Sequence, residues 1–287
     1  MGCSRSGTTL LQRLLASHSR IFTFPETGVF LKAFGMRGAV LPWVHLGLTL
    51  GKERKALEAL PASLPGDPGK SRYPPLPRRR FFMTRSMKDV VAYFDALAAA
   101  HGKDIWLEKT PRHVFHALRI RQAIPDSLCI HMVRNGADVV ASIVDRAKRY
   151  PDQFPRQGDP SYGIRQWNRS IQATTEALPG PGHAVVFYDE LVSDTESTLR
   201  SLCQIIGIDF ETGMDVPVDP SAFIQPDEGW KSQVTGPVRP AISKFHKLFD
   251  ADTQAAILQA LEMERFEKLK HKQGGSRGDV LFSGTGL

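Results

Sequence analysis

At 287 residues, 41% of them hydrophobic and 23% charged, the chain reads as globular, with apolar material for one large α/β domain or two small ones. Its formal net charge of +7 suits anionic partners. The excess is ordinary for a solvated surface, and no RNA-module or helix-turn-helix signature supports a nucleic-acid partner. Cys3, Cys129 and Cys203 are widely spaced without a C-x-x-C, which argues against a disulfide framework and against a zinc site.

The chain opens on Gly2-Cys3-Ser4-Arg5-Ser6-Gly7-Thr8-Thr9, which runs without a break into apolar residues at helical spacing, Leu10 to Ala16. This describes a loop capping a helix N-terminus, where first-turn N–H groups and the helix dipole favour an anion. Gly2 and Gly7 allow close backbone approach, Ser6, Thr8 and Thr9 add hydroxyl donors, and Arg5 is the charge within the loop. Phosphate or sulfate is the natural occupant. The G-x-x-x-x-G spacing matches the start of a nucleotide P-loop, but Thr8 stands where that motif has Lys.

Arg20 to Phe24 predicts a short strand ending at Pro25-Glu26-Thr27, which puts Glu26 at a strand end. Residues 29–60 predict two helices, and residues 29–100 together an acceptor-side cap. Within that cap Pro61 to Arg80 is an irregular, basic, Pro-rich excursion, followed by a helix over Ser86 to Ala100. The most apolar run, Ala39 to Leu50, contains Pro42 and His45 and is too short to span a bilayer. With no signal peptide visible, the expectation is a cytoplasmic protein without stable membrane insertion.

Asp104 to Glu108 predicts a buried strand delivering Lys109-Thr110-Pro111 ahead of a helix over Arg112 to Ala123. Ser127 to Val133 repeats the design, delivering Arg134 before a helix from about Ala137. This alternation implies parallel βαβ units with ligands at the strand carboxyl ends. A helix follows the loop 150–160, His183 to Tyr188 is the last clear strand, Thr195 to Ile206 is a helix, and one amphipathic helix covers Asp252 to Leu269. Residues 1–271 are read as a single domain and residues 272–287 as a disordered, Gly/Ser-rich tail.

Transfer of a sulfuryl group needs positive donors where charge builds on the leaving phosphate oxygen. Arg5 and Lys109 suit that role, and no metal is required. In order and content these motifs resemble the sulfotransferases that use 3′-phosphoadenosine 5′-phosphosulfate (PAPS) and release PAP, especially the branch of tyrosylprotein sulfotransferases and many bacterial homologues.

The resemblance implies a P-loop-like three-layer α/β fold, a parallel central sheet flanked by helices. It implies that Arg5-Ser6-Gly7-Thr8-Thr9 holds the 5′-phosphosulfate, and that Arg134 with Ser142 holds the 3′-phosphate. Glu26, 21 residues after Arg5, corresponds to the general base, and Lys109 to the residue at the bridging oxygen. Tyr188 corresponds to a residue near the adenine and Lys244 to one that returns to a donor phosphate.

A small molecule, carbohydrate, lipid or peptide would supply the accepting hydroxyl or amine. An ATP-dependent P-loop kinase is the alternative enzyme, but it calls for the P-loop Lys and an acidic magnesium ligand. A non-catalytic protein that binds anions or sulfated glycans would need no carboxylate such as Glu26.

Overall fold

The computed structural model describes residues 1–35, 42–60, 75–78, 80–219, 238, 242–272 and 280–283. Most of the basic excursion 61–80 and the segment 220–237 lie outside the described residues. The chain divides into two compact units, one of Met1–Thr8, Leu128–Asp209 and Val238–Leu287, the other of Thr9–Ser127 and Phe210–Pro237.

In the first unit β3 (Cys129–Val133) pairs in parallel with β4 (His183–Phe187), Cys129 opposite His183 and Val133 opposite Phe187. Their sequences, CIHMV and HAVVF, are apolar apart from one buried histidine each, as suits strands covered on both sides. Met1 and Gly2 also run parallel to β3, with a bridge from Gly2 to Met132 and the Met132 amide donating to the Met1 carbonyl at 2.8 Å. Helices α7 (Gly136–Arg149) and α8 (Pro160–Ala177) supply Val139, Val140, Ile143, Trp167 and Ile171 to the core. They meet Val185 and Phe187 of β4 there, together with Phe245, Ile257, Leu261 and Phe266 from the C-terminal helices. Helices α9 (Tyr188–Ser193) and α10 (Thr195–Ile206) follow β4 directly.

In the second unit β1 (Ile21–Thr23) pairs in parallel with β2 (Ile105–Leu107), Ile21 opposite Ile105. From α1 (Thr8–Leu15), Gln12 donates to the Thr23 hydroxyl at 2.8 Å and to the Phe24 carbonyl at 3.1 Å, which ties the helix to the strand end. Phe24 and Trp106 both pack on Phe94 of α5 (Met83–Ala100). The remaining helices are α2 (Val29–Phe34), α3 (Pro42–His45), α4 (Glu53–Ala59) and α6 (Ala117–Ala123).

The structure departs from the sequence expectations in identifiable ways. The segment 29–60 holds three short helices among its described residues rather than two. Strand β2 is half-buried rather than buried, paired among the described residues with β1. The helix after Lys109 begins as a 3-10 turn, Pro111–His116, with proline at its start. The C-terminal helix is two, α12 (Ala251–Ala260) and α13 (Met263–Lys272). They are broken where Leu261 turns extended to enter the core and Asn168 bonds the Ala260 carbonyl and the Glu262 amide. Within the tail read as disordered, Leu281–Ser283 forms β5, antiparallel to β4. Strand pairing there outweighs composition.

His131 on β3 is fully buried, its Nδ1 3.0 Å from the Thr174 hydroxyl and its Nε2 3.0 Å from His183 Nδ1. Burial above all, with the neighbouring His183, pushes its imidazole well below the ordinary value. Burial likewise pushes His116 down to about 4 against the opposing bond to the Gly35 carbonyl. For a base depressed in the folded state, the unfolded chain binds more protons, so stability is full above about pH 6.5 and declines as pH falls toward 4. Urea unfolding should therefore lose about 1.4 kcal/mol per pH unit for each such histidine across that window. His131→Gln together with His116→Gln should flatten the slope whatever its effect on stability at pH 7.

Candidate active site

The loop of the first unit is shaped by contacts that only particular residues permit. Arg5 is the one described non-glycine residue at positive φ, 73°, a conformation that costs energy unless the surroundings enforce it. A Cβ on Gly2 would lie 2.3 Å from the Met132 carbonyl oxygen, and one on Gly7 2.6 Å from the Tyr188 ring. Both glycines also have positive φ, so neither tolerates a side chain. Cys3 is buried within the core, which pushes its thiol up to about 12 and leaves it without nucleophilic character.

Arg5 Nε donates to the Ser142 hydroxyl at 3.1 Å across 137 residues of sequence. Burial, and then the neighbouring Arg134 charge, lower the Arg5 guanidinium from its ordinary value. Arg134 is itself buried, its guanidinium 4.2 Å from the centre of the Tyr188 ring. The Arg134 backbone is fixed by Trp167, whose indole N–H donates to its carbonyl at 2.9 Å. The next residue, Asn135, caps α7 by accepting from the Ala137 and Asp138 amides at 2.9 and 3.4 Å. The Ser6 hydroxyl and Arg134 Nε are buried without a hydrogen-bond partner. Both can donate, and the described residues supply neither with an acceptor.

Lys244 lies in the same unit, its ammonium 2.5 Å from Asp145 of α7, which also pairs with Arg149 at 2.7 Å. Burial raises the Asp145 carboxyl, but these two cations hold it below its ordinary value.

A second group of residues gathers at the β1 and β2 ends of the second unit. Lys109 is 5% exposed, with its ammonium 2.5 Å from Glu26 Oε1 and 3.4 Å from the Thr9 hydroxyl. The Glu26 side chain remains 27% exposed, so its carboxylate keeps a path to solvent.

Behind this pair sits Glu108, the last residue of the strand that the sequence predicts ahead of Lys109. Its Oε1 accepts from the hydroxyls of Thr27 and Thr110 at 2.8 and 2.7 Å and from the Thr27 amide at 3.3 Å. The same hydroxyls accept in turn from Val29 and Gly28 amides, each at 3.1 Å. Its Oε2 lies 2.8 Å from His113 Nδ1, an approach off the line of a hydrogen bond. Burial pushes the Glu108 carboxyl up, but the His113 charge and the hydroxyl donors outweigh it and hold it at about 2. The signal for this network is the threonine that directly follows both Glu26 and Lys109 in sequence.

The predicted site residues therefore fall into two groups. Arg5 with Ser142, and Arg134 with Tyr188, meet in the first unit, where Lys244 pairs with Asp145 instead. Glu26, Lys109 and Thr9 meet in the second.

A sequence profile of the sulfotransferase family matches residues 1–212. The chain belongs to the sulfotransferase family.

Among solved structures, the sulfotransferase domain of the Synechococcus PCC 7002 olefin synthase superposes with a TM-score of 0.57 at 19% identity, covering 92% of each chain. The sulfotransferase domain from the curacin biosynthetic pathway gives 0.56 at 17%, covering 90% of this chain and 94% of that one. Sulfotransferase STF9 from Mycobacterium avium gives 0.52 at 14%, covering 97% and 77%. These likenesses show the P-loop-like sulfotransferase fold. No curated protein matches the chain. Among the described residues no helix is long and apolar enough to cross a membrane.

If Glu108 clamps the turn 26–28 to the end of β2, its removal strands the three donors from Thr27 and Thr110. Glu108→Ala should cost about 1–3 kcal/mol in denaturant unfolding for each donor left unsatisfied. Thr27→Val, which deletes one hydroxyl, should cost nearer 1 kcal/mol.

Proposed function

We propose that this sulfotransferase takes its sulfuryl group from PAPS, with Glu26 as the general base that activates an acceptor hydroxyl or amine. The observation that carries the reading is the 2.5 Å contact of Lys109 with Glu26, two residues 83 apart in sequence that the family resemblance names for the chemical step. A binding protein has no use for a half-exposed carboxylate held against a buried ammonium.

The loop residues fit an anionic donor. Ser6 and Arg134 carry buried polar atoms that want a partner, and burial, then the Arg134 charge, lowers the Arg5 guanidinium from its ordinary value, which an anion would offset. On this reading Arg5, Ser6, Gly7, Thr8 and Thr9 hold the 5′-phosphosulfate, and Arg134 with Ser142 holds the 3′-phosphate. Tyr188 flanks the adenine, and Lys244 leaves Asp145 for a donor phosphate. When bound, PAPS supplies the sulfuryl group and PAP is what remains.

Glu26 accepts the acceptor's proton as the oxygen–sulfur bond forms, and the positive charge of Lys109 and Arg5 meets the electron pair left on the departing phosphate oxygen. Thr9, 3.4 Å from Lys109, helps to hold the ammonium in place. The acceptor is a small molecule, carbohydrate, lipid or peptide, and the reaction asks for no metal.

Glu26→Gln keeps the shape and removes the basicity, so turnover should fall about 10²–10⁴-fold while PAP affinity by calorimetry stays near that of the parent. Near-parental turnover with an alcohol acceptor would move the base elsewhere. Arg134→Ala should raise the PAP dissociation constant at least tenfold, since a charge-assisted contact is worth about 1.5–3 kcal/mol. Stabilisation by ATP-Mg rather than PAP in thermal unfolding would turn the assignment toward a kinase.

A further inference from the structure

Four of the large apolar side chains exposed among the described residues of the second unit gather on one short pairing. Leu48 bridges antiparallel to Phe82, the Thr49 amide donates to the Phe81 carbonyl at 2.8 Å, and the Met83 amide donates to the Gly47 carbonyl at 2.7 Å. Around these bonds Leu46 is 76% exposed, Leu50 54%, Phe81 81% and Phe82 58%.

They are held outward by a fixed base. Thr49 and Met83 are buried, and the buried Glu53 carboxylate accepts from Thr49 at 2.9 Å and also from Ser86. Large apolar side chains presented on a supported tip mark an interaction surface.

The charge around the tip says what kind. Residues 42–60 and 75–89 carry eight Lys or Arg against three Asp or Glu, a net +5 of the chain's +7. Lys52, Lys55, Arg78, Arg85 and Lys88 among them are exposed. Arg80 and Arg54 are neutralised locally, by Asp89 and Glu58. Four apolar side chains fall well short of the roughly 20–30 residues a side of a stable protein interface. A fluid bilayer makes no such demand, since lipid chains close around a small protrusion while anionic headgroups meet the cations.

We propose that the Leu46/Leu50/Phe81/Phe82 tip, with its flanking lysines and arginines, docks this protein on an anionic lipid surface. Phenylalanines and leucines enter the boundary between headgroups and acyl chains, and Lys52, Arg78, Arg85 and Lys88 stay at headgroup level. The binding is peripheral and reversible, and it does not depend on the reading of the donor site.

Co-sedimentation of the full chain with vesicles of phosphatidylcholine, alone or mixed with phosphatidylglycerol, tests this. The protein should partition onto the mixed vesicles and release with added salt. Phe81→Ser with Phe82→Ser should weaken partition at least tenfold with unchanged thermal unfolding, since both side chains are already in water. Arg85→Glu with Lys88→Glu should weaken it about tenfold or more, which gives a second readout that does not alter the apolar tip. Absence of partition onto mixed vesicles, equal partition onto phosphatidylcholine alone, or undiminished binding of the phenylalanine variant would overturn the proposal. A dimer lost in the phenylalanine variant, with no vesicle binding by the parent, would assign the tip to a second copy instead.

Discussion

Two guanidinium groups are brought near each other in the first unit, with Asp138 3.8 Å from Arg134 and the Asp145 charge acting on Arg5. Burial, and then the Arg134 charge, lower the Arg5 guanidinium from its ordinary value. Like charges in a partly desolvated setting repel far more than in water, so the fold must spend structure to hold them. It does so at both ends. Arg5 is locked by a left-handed backbone and the Ser142 hydroxyl, and Arg134 by the Trp167 bond to its carbonyl, the Asn135 cap and the Tyr188 face. Gly7 is part of the same lock, because Tyr188 occupies the space its side chain would need. Held in this way, the two groups suit the anionic donor proposed for them, since a preorganised site need not reorganise at the moment of reaction.

The second unit solves the opposite problem. Lys109 is buried, and a buried cation without a partner would give up its proton. Glu26 supplies the opposite charge, while Glu108 stays out of that pair. Its own carboxylate is engaged by Thr27, Thr110 and His113. Adjacent residues of one strand end thus have separate duties, with Lys109 facing Glu26 and Glu108 bracing the turn that carries Glu26. Nothing in the interaction energies alone would require two carboxylates beside one lysine. A scaffold carboxylate and a more exposed working carboxylate make sense of the pair.

Much of this was legible in the sequence, for reasons that can be named. Strand ends were readable because parallel pairing demands apolar runs, as at Cys129–Val133 and His183–Phe187, and because a helix must begin soon after each. The loop was readable from its glycines. Glu108 was not singled out, since a carboxylate next to Lys109 reads as an ordinary surface charge until Thr27 is seen to reach it across 81 residues. Neither the break at Leu261 nor β5 was legible, because both are set by tertiary partners, Asn168 and β4, that leave no local mark. Asp145 as the partner of Lys244 spans 99 residues and was invisible for the same reason.

The ion pairs of the two units also differ in how easily they can be redirected. Lys244 is 41% exposed against Asp145, and a pair of that kind in solvent is worth about 0–1 kcal/mol. Asp145 would keep Arg149 if Lys244 left it, so the move proposed for the lysine would cost little. Lys109 has no such freedom, being 5% exposed and bound to Glu26 on one side and Thr9 on the other. A group that must meet charge at one fixed atom benefits from that rigidity, whereas a group that only has to follow a phosphate does not. The contrast in burial matches the division of labour proposed for the two lysines.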